Sequence, residues 1–126
     1  MLADVIAGTA RIIDKPDQIF NRIHQSDISQ IIMAAMDQPR ANRIINLADQ
    51  MPSAQGDVVR YAAQLAGVSP PEPVPLDKAG FSEIGRSFYT STRRIRSKVI
   101  ERELGVTLAY PDYRAGLDAL WSELSR

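Results

Sequence analysis

The residues of this chain that are best suited to chemistry form a cationic run between residues 86 and 102. Its members are Arg86, Arg93, Arg94, Arg96, Lys98 and Arg102, with a single acid, Glu101, among them. Guanidinium groups hold phosphate through paired hydrogen bonds, and rows of cations also follow nucleic-acid backbones. A solvated helix face paired with Glu101 and Glu103 is the third interpretation. A net charge of zero, cations without interleaved aromatics and the lack of a helix-turn-helix pattern argue against nucleic acid.

His24 is the only histidine of the chain, and the sequence contains no cysteine. A two-histidine metal site, an HExxH motif, a thiolate site and a disulfide scaffold are therefore excluded. His24 can be a structural imidazole at the end of a strand or a polar contact that lines a substrate cleft. The sequence leaves both roles open, and it predicts neither a metal site nor a catalytic residue.

His24 stands at a corner where an apolar, β-prone run turns into a helical segment. Helical spacing predicts one buried face, made of Ile28, Ile31, Ile32 and Ala35. Asp27 is predicted to cap this helix, with Gln30 completing a variant of the capping box. The helix is expected to stop near Asp37, before Pro39.

Short strands are predicted on both sides of this helix. Residues 11–13 and 19–22 are β-prone and flank the turn-forming residues 14–17, so we expect a hairpin. Residues 43–47 and 107–109 are the other predicted strands.

Further helices are predicted from caps and from periodicity. A first helix is expected with Leu2, Val5 and Ile6 on one face and Gly8 at its end. Others are expected between a Ser53 cap and Gly67, before Gly105 and after an Asp112 cap. Residues 76–91 are expected to form short helical turns joined by loops.

Length and composition predict one modest domain over residues 1–126. Apolar residues make up 44% of the chain and charged residues 24%, which is typical of globular proteins. Residues 69–75 belong to a proline-rich stretch and predict an extended connector, because proline fixes φ and lacks an amide donor. No run approaches the about 18 apolar residues of a membrane span, and residues 1–10 lack a signal-peptide pattern. We therefore expect a cytoplasmic protein without a membrane partner.

Four segments of the chain follow one another in an order known from an enzyme family. They are Ile-His-Gln-Ser-Asp-Ile at residues 23–28, Arg-Ile-Ile-Asn-Leu-Ala-Asp at residues 43–49, Ser97-Lys98 with residues 102–106, and Tyr110-Pro111 with residues 114–117. Together they resemble the I-H-V-x-D-[LIV], Y-N-(V/L), S-K-x-x-x-E-L-G and P-x-x-x-G-L segments of the extended short-chain dehydrogenase/reductases. This is the NAD-dependent epimerase/dehydratase family, and the resemblance spans residues 8–121.

The resemblance implies that these residues form the C-terminal, substrate-binding lobe of an extended Rossmann-type enzyme. The implied fold class is α/β, α+β-like as an isolated lobe, with several short helices and a few short strands. The chain has no glycine-rich turn and no Tyr-x-x-x-Lys pair, which in the family hold the cofactor and transfer protons. We therefore expect this chain to bind no cofactor and to be inactive alone. NAD or NADP and an N-terminal Rossmann lobe are implied for a full-length parent.

Six residues are the substrate-binding candidates: Arg22, His24, Ser87, Tyr89, Arg93 and Arg94. In the family, an arginine before the corresponding strand grips the substrate diphosphate. Here Arg22 stands closer to the histidine than that arginine does, and Phe20 occupies its place. The last four candidates are implied to line the side of the cleft that faces the nicotinamide. Tyr89 can stack on a flat substrate ring or belong to the core.

Two functions stay open from the sequence. The first is the substrate-binding part of an NAD(P)-dependent nucleoside-diphosphate-sugar epimerase/dehydratase-like oxidoreductase, whose small-molecule substrate is expected to carry phosphate. The second is a free-standing binding or assembly module without catalytic activity. We also expect the lobe to expose an apolar surface where its partner lobe would sit, and hence to self-associate into a homo-oligomer or to be poorly soluble.

Overall fold

The computed structural model describes residues 1–38 and 43–126. In this part of the chain the helices are α1 (Leu2–Ile6), α2 (Gln25–Asp37), α3 (Gln55–Ala66), α4 (Glu83–Ser87), α5 (Lys98–Leu104) and α6 (Tyr113–Leu124), with a 3₁₀ turn at Leu76–Lys78. Strands β1 (Ile12–Asp14) and β2 (Pro73–Pro75) form a two-stranded parallel sheet in which Ile13 lies opposite Val74. The predicted mixed α/β fold of short helices and few strands is confirmed.

The first apolar cluster joins α1, β1, α3 and α6. Its buried members are Leu2, Val5, Ile12, Val58, Val59, Ala62, Ala63 and Leu117. The small side chains of Ala62 and Ala63 let neighbouring elements approach α3 closely. This helix ends at Gly67, whose φ of 68° lies in the left-handed region that favours glycine. The predicted end of α3 is thus confirmed.

Two further apolar clusters complete the interior. One lies between α2 and α5 and contains Ile31, Ile100, Leu104 and Val106. The other lies beside the sheet and contains Ile13, Ala79 and Tyr89, with Phe20 and Phe81 packed against them. The cationic run 86–102 connects these two clusters along the chain.

The predicted hairpin between residues 11–13 and 19–22 is wrong. Strand β1 pairs with β2, in the proline-rich stretch, while Phe20 forms a single antiparallel bridge with Ser53. Asp17 adopts a left-handed conformation with φ of 60°, and the chain then leaves the sheet. Proline explains why β2 stays at an edge, because Pro73 and Pro75 have no amide to donate to a further strand. Within the predicted connector, residues 69–75, the part that forms β2 (Pro73–Pro75) is extended, as expected for a proline-rich stretch.

The predicted role of Asp27 as a helix cap is also wrong. Helix α2 starts after His24, whose Nδ1 accepts a hydrogen bond from the Ser26 amide at 3.3 Å. Asp27 lies inside the first turn with no exposed surface. Its carboxylate accepts from the amides of Ala109 at 2.7 Å and Tyr110 at 3.0 Å. Asp27 therefore accepts hydrogen bonds from backbone amides, as a cap would, but those amides lie more than 80 residues away in the sequence.

Among the remaining predictions, one helix cap is confirmed, whereas a second cap and two strands are not. Asp112 caps α6 by accepting from the amides of Arg114 and Ala115, as predicted. Ser53 does not cap α3, because its hydroxyl donates to the Met51 carbonyl. The predicted strands 43–47 and 107–109 are not paired with another strand in the described residues.

Within residues 1–38 and 43–126, no helix combines the length and the apolar character that crossing a membrane requires.

Candidate functional site

A cavity of about 460 Å³ lies between the cationic run and the segment that follows residue 47. It is lined by residues 48–50, Pro52, residues 94–98, Ile100, Glu101 and residues 106–108. Buried apolar side chains such as Ile100 and Val106 contribute to its wall. Exposed charged side chains, namely Arg94, Arg96, Lys98 and Glu101, surround it. An apolar wall with a few charged groups is typical of a small-molecule site.

The backbone around Arg94 is held by the side chain of Asn21. The Asn21 amide nitrogen donates to the Arg93 carbonyl at 2.7 Å, and its oxygen accepts from the Ile95 amide at 2.8 Å. One side chain thus fixes the peptide groups on both sides of Arg94. This contact orients Arg94 without a helix or a strand.

Two more side chains fix the ends of the same segment. Gln18 is buried and donates to the carbonyls of Phe88 and Ser91. Ser97 donates to the Asn46 carbonyl at 2.5 Å and accepts from the Ala48 amide at 3.0 Å. Hydrogen bonds thus hold the backbone of the cationic run at several points between residues 88 and 97. This limits the conformational entropy that the run loses when it binds a ligand.

Most cations of the run have no acidic partner in the described part of the chain. The ion pairs there are Arg43–Glu103, Arg102–Glu103, Arg60–Asp57 and the N-terminal amine with Asp4. Of the run, only Arg102 takes part. A helix face paired with acids therefore describes Arg102, whereas Arg93, Arg94 and Arg96 lie on an irregular, exposed segment.

Asp49 places an acidic group in the wall of the cavity. Burial raises the pKa of its carboxyl, although the Met51 amide, which donates to it at 2.9 Å, and the charge of Arg22 act in the opposite direction. Protonation near an anionic ligand would remove a repulsive charge. Asp49 can therefore make anion binding in this cavity depend on pH.

The guanidinium of Arg22 is hydrogen-bonded to backbone carbonyls rather than directed at the cavity. Its guanidinium donates to the Ser53 carbonyl at 3.0 Å and to the Phe20 carbonyl at 3.3 Å. Burial lowers the pKa of Arg22, while the charge of Asp49 raises it. Both acceptors are the carbonyls that also form the Phe20–Ser53 bridge, and Arg22 is not among the residues that line the cavity.

His24 lies at a different place from the cavity. Its ring packs on that of Tyr110, with centroids 3.9 Å apart and an angle of 33°. The imidazole also approaches Gly116 closely, because a Cβ built there would lie 3.3 Å from His24 Cδ2. Together with the cap that it provides for α2, these contacts match the structural role considered for His24.

The remaining candidates separate into buried and exposed positions. Tyr89 is buried, stacks on Phe81 with centroids 5.7 Å apart and meets Phe20 edge-on at 5.3 Å. The Ser87 hydroxyl donates to the Ile84 carbonyl within α4. Arg94 lines the cavity, and Arg93 and Arg94 together line a second recess of about 310 Å³. Of the six candidates, only Arg94 lines the cavity; Arg93 lines the second recess, and Arg22, His24, Ser87 and Tyr89 lie outside the cavity.

Sequence reasoning missed Asn21, Gln18 and Asp49 as site residues. Asn21 and Gln18 bond to a segment 70 or more residues away, and Asp49 belongs to the site because it lines the same cavity as residues 94–98. No local pattern identifies either relation. In the described residues, no group of three histidine or acidic side chains is arranged to hold a metal ion.

No family model matches this chain, and no curated protein does. A solved structure from Silicibacter pomeroyi DSS, described as a functionally unknown conserved protein, is similar to it with 43% sequence identity and a TM-score of 0.89. The similarity covers 94% of this chain but 43% of that chain. These residues therefore correspond to less than half the length of a protein that shares their fold.

Proposed function

We propose that this chain is the substrate-binding part of an NAD(P)-dependent nucleoside-diphosphate-sugar epimerase/dehydratase-like oxidoreductase. It binds the phosphate-bearing part of the substrate, while a separate Rossmann lobe supplies NAD or NADP and the acid/base residues. Alone, the chain is inactive. Its place of action is the cytoplasm, in keeping with a sequence free of cysteine.

The observation that carries the proposal is a cavity lined by arginines that form no ion pair with an acid within residues 1–38 and 43–126. Its volume of about 460 Å³ falls within the roughly 300–1,000 Å³ of small-molecule sites. Arg94 projects from a backbone clamped by Asn21 on both sides, so that its guanidinium is available for a ligand phosphate. Arg96 and Lys98 add positive charge at the same cavity.

The arrangement of the family-like segments supports the same function. Ala48 and Asp49, from the second segment, and Ser97 and Lys98, from the third, line the cavity. The first and fourth segments meet where Asp27 holds the amide of Tyr110. Two of the four family-like segments thus contribute to the cavity wall, and the other two contact each other away from it.

Calorimetric titration of the chain tests this function. We expect uridine diphosphate to bind with a dissociation constant in the micromolar to millimolar range, and uridine alone to bind much more weakly. Arg94→Ala should weaken the diphosphate binding, whereas Arg60→Ala, an exposed arginine paired with Asp57 on α3, should not. Equal binding of diphosphate and uridine, or equal effects of the two variants, would contradict a phosphate site at this cavity. An absence of binding to any nucleotide would favour the assembly module.

A further inference from the structure

Residues 43–47 have the side-chain pattern of a strand but pair with no other strand in the part of the chain that the structure describes. Ile45 and Leu47 are half-buried and pack against the cluster around Ile31. Ile44 and Asn46 point the other way, and Ile44 is 94% exposed. Alternation with a period of two, in a β-branched run, is typical of a strand with one covered face.

The backbone of this segment is also open to a partner. Within residues 1–38 and 43–126, none of its five amides donates a hydrogen bond, and its single engaged carbonyl is that of Asn46, which accepts from Ser97. Unpaired amides and carbonyls on an extended apolar segment form a template for another strand. Completion of a sheet by such a segment is a common mode of recognition.

Helix α2, which packs against the inner side of this segment, is apolar on a second face. Ile31, Ala34 and Ala35 face the cluster that contains Ile45 and Leu47. Outside, Ile32, Met33 and Met36 are 50%, 67% and 73% exposed. Met36 follows Ile32 by four residues and Met33 by three, spacings that place side chains on the same side of a helix. A helix with apolar residues on both sides is expected to be covered on both.

We propose that Ile44 and the outer stripe of α2 form one docking surface, and that its occupant is the β-sheet edge of a companion lobe. In the docked protein, residues 43–47 add a strand to that sheet, and the stripe packs against the same lobe. The length of the Silicibacter pomeroyi protein supports a companion lobe as the occupant, because more than half of that chain has no counterpart in these residues. This inference does not depend on what the cavity binds.

The test compares this chain with a chimera in which it replaces the matching region of the Silicibacter pomeroyi protein. Amide hydrogen exchange is measured in both. In the chain alone, the amides of residues 43–47 should exchange fast, while those of buried α3 residues such as Ala62 are protected. In the chimera, alternate amides of residues 43–47 should exchange about tenfold or more slowly, since a strand pairs through every second residue on each side.

Two variants of the chimera locate the surface. Ile44→Asp should remove the added protection, and Ile44→Thr, which keeps the β-branched shape if Ile44→Asp fails to fold, should reduce it. Ile84→Asp is the matched control, because Ile84 on α4 is 74% exposed and lies outside the docking surface. It should leave the protection unchanged.

Several outcomes would overturn the proposal. Fast exchange at residues 43–47 in the folded chimera would show that no strand is added there. Protection in the chain alone, rising with concentration together with a dimer in sedimentation, would make a second copy the occupant. A chimera that aggregates, while the parent Silicibacter pomeroyi protein remains monodisperse, would show that the two surfaces do not match.

Discussion

The replacement of Asp27 by alanine offers the sharpest test of how this fold is held together. The carboxylate is fully buried and accepts from two backbone amides, at 2.7 and 3.0 Å, on the segment between α5 and α6. A cap role, as the sequence predicts, would cost about 1 kcal/mol when lost. The contacts that the structure shows imply a larger loss.

The magnitude follows from the two hydrogen bonds. A bond to a charged group contributes about 1.5–3 kcal/mol, and its loss leaves a donor without a partner. Ala109 is exposed, so its amide can be rehydrated, which favours the lower end for that bond. We therefore expect Asp27→Ala to lower the free energy of unfolding by about 3 kcal/mol.

Denaturant titration measures this loss as a shift of the midpoint at constant slope. Asp27→Asn keeps the size and one acceptor oxygen, but turns a donor group towards the second amide, so about 2 kcal/mol should be lost. Asp37→Ala, an exposed acid at the end of the same helix, should change stability by less than about 0.5 kcal/mol. Exchange at the amides of Ala109 and Tyr110 should accelerate in Asp27→Ala. A loss of about 1 kcal/mol in the free energy of unfolding, without faster exchange at these amides, would contradict the long-range role of Asp27 and support its role as a helix cap.

Four other outcomes are expected. Arg93→Ala and Arg94→Ala should each change the free energy of unfolding by less than about 0.5 kcal/mol in denaturant melts, while raising the Michaelis constant for an anionic substrate in a full-length parent. Asn21→Ala, which removes both bonds around Arg94, should cost about 2 kcal/mol and weaken binding of a diphosphate, whereas Asn21→Asp, which keeps the acceptor for the Ile95 amide, should recover part of both. Because burial raises the pKa of Asp49, its folded form holds a proton more tightly than the unfolded chain. The contribution of Asp49 to stability is greatest below the ordinary aspartate pKa and is lost as pH rises through the raised value. The affinity for a diphosphate should fall over the same pH range. Carboxyl NMR measures the pKa of Asp49, and Asp49→Asn should abolish the pH dependence of stability and of affinity. The isolated chain should not bind NAD(H) or NADP(H) at millimolar ligand in calorimetry, because it lacks the glycine-rich turn that receives the pyrophosphate, and a micromolar dissociation constant would contradict this.

Features set by neighbouring residues could be predicted from the sequence. Asp112 caps α6, and Gly67 and Gly105 end α3 and α5 with φ of 68° and 65°, because these choices depend on a few residues on either side. The short helical turns within residues 76–91 were predicted for the same reason. The helical segment after His24 was also predicted, although not the role of its aspartate. The predicted burial of Ile32 is wrong, because half of its side chain is exposed on the outer side of the helix.

Features set by distant contacts could not be predicted in this way. Asp27 has the residue type and position of a cap, yet its partners lie at residues 109 and 110. The pairing of β1 with a proline-rich strand is chosen by packing around Tyr89 rather than by the turn at residues 14–17. Asn21 positions Arg94 across more than 70 residues, and no spacing rule identifies such a contact. For the candidate site, the sequence predicted the cations but not what holds them.

The segment 43–47 differs from both groups, because its local pattern and its tertiary environment disagree. A strand was predicted here from its β-branched residues, and the side chains do alternate as in a strand, with Ile45 inward and Ile44 outward. What is absent from the described residues is a second strand to receive its hydrogen bonds. A sequence pattern reflects the assembled protein in which its residues are buried, whereas the fold of one chain shows only the contacts within it. If a companion sheet pairs with Ile44, the predicted strand is correct for the assembly and fails only for the chain alone. The exposed stripe on α2 then has the same explanation, since both apolar surfaces would be covered by one partner.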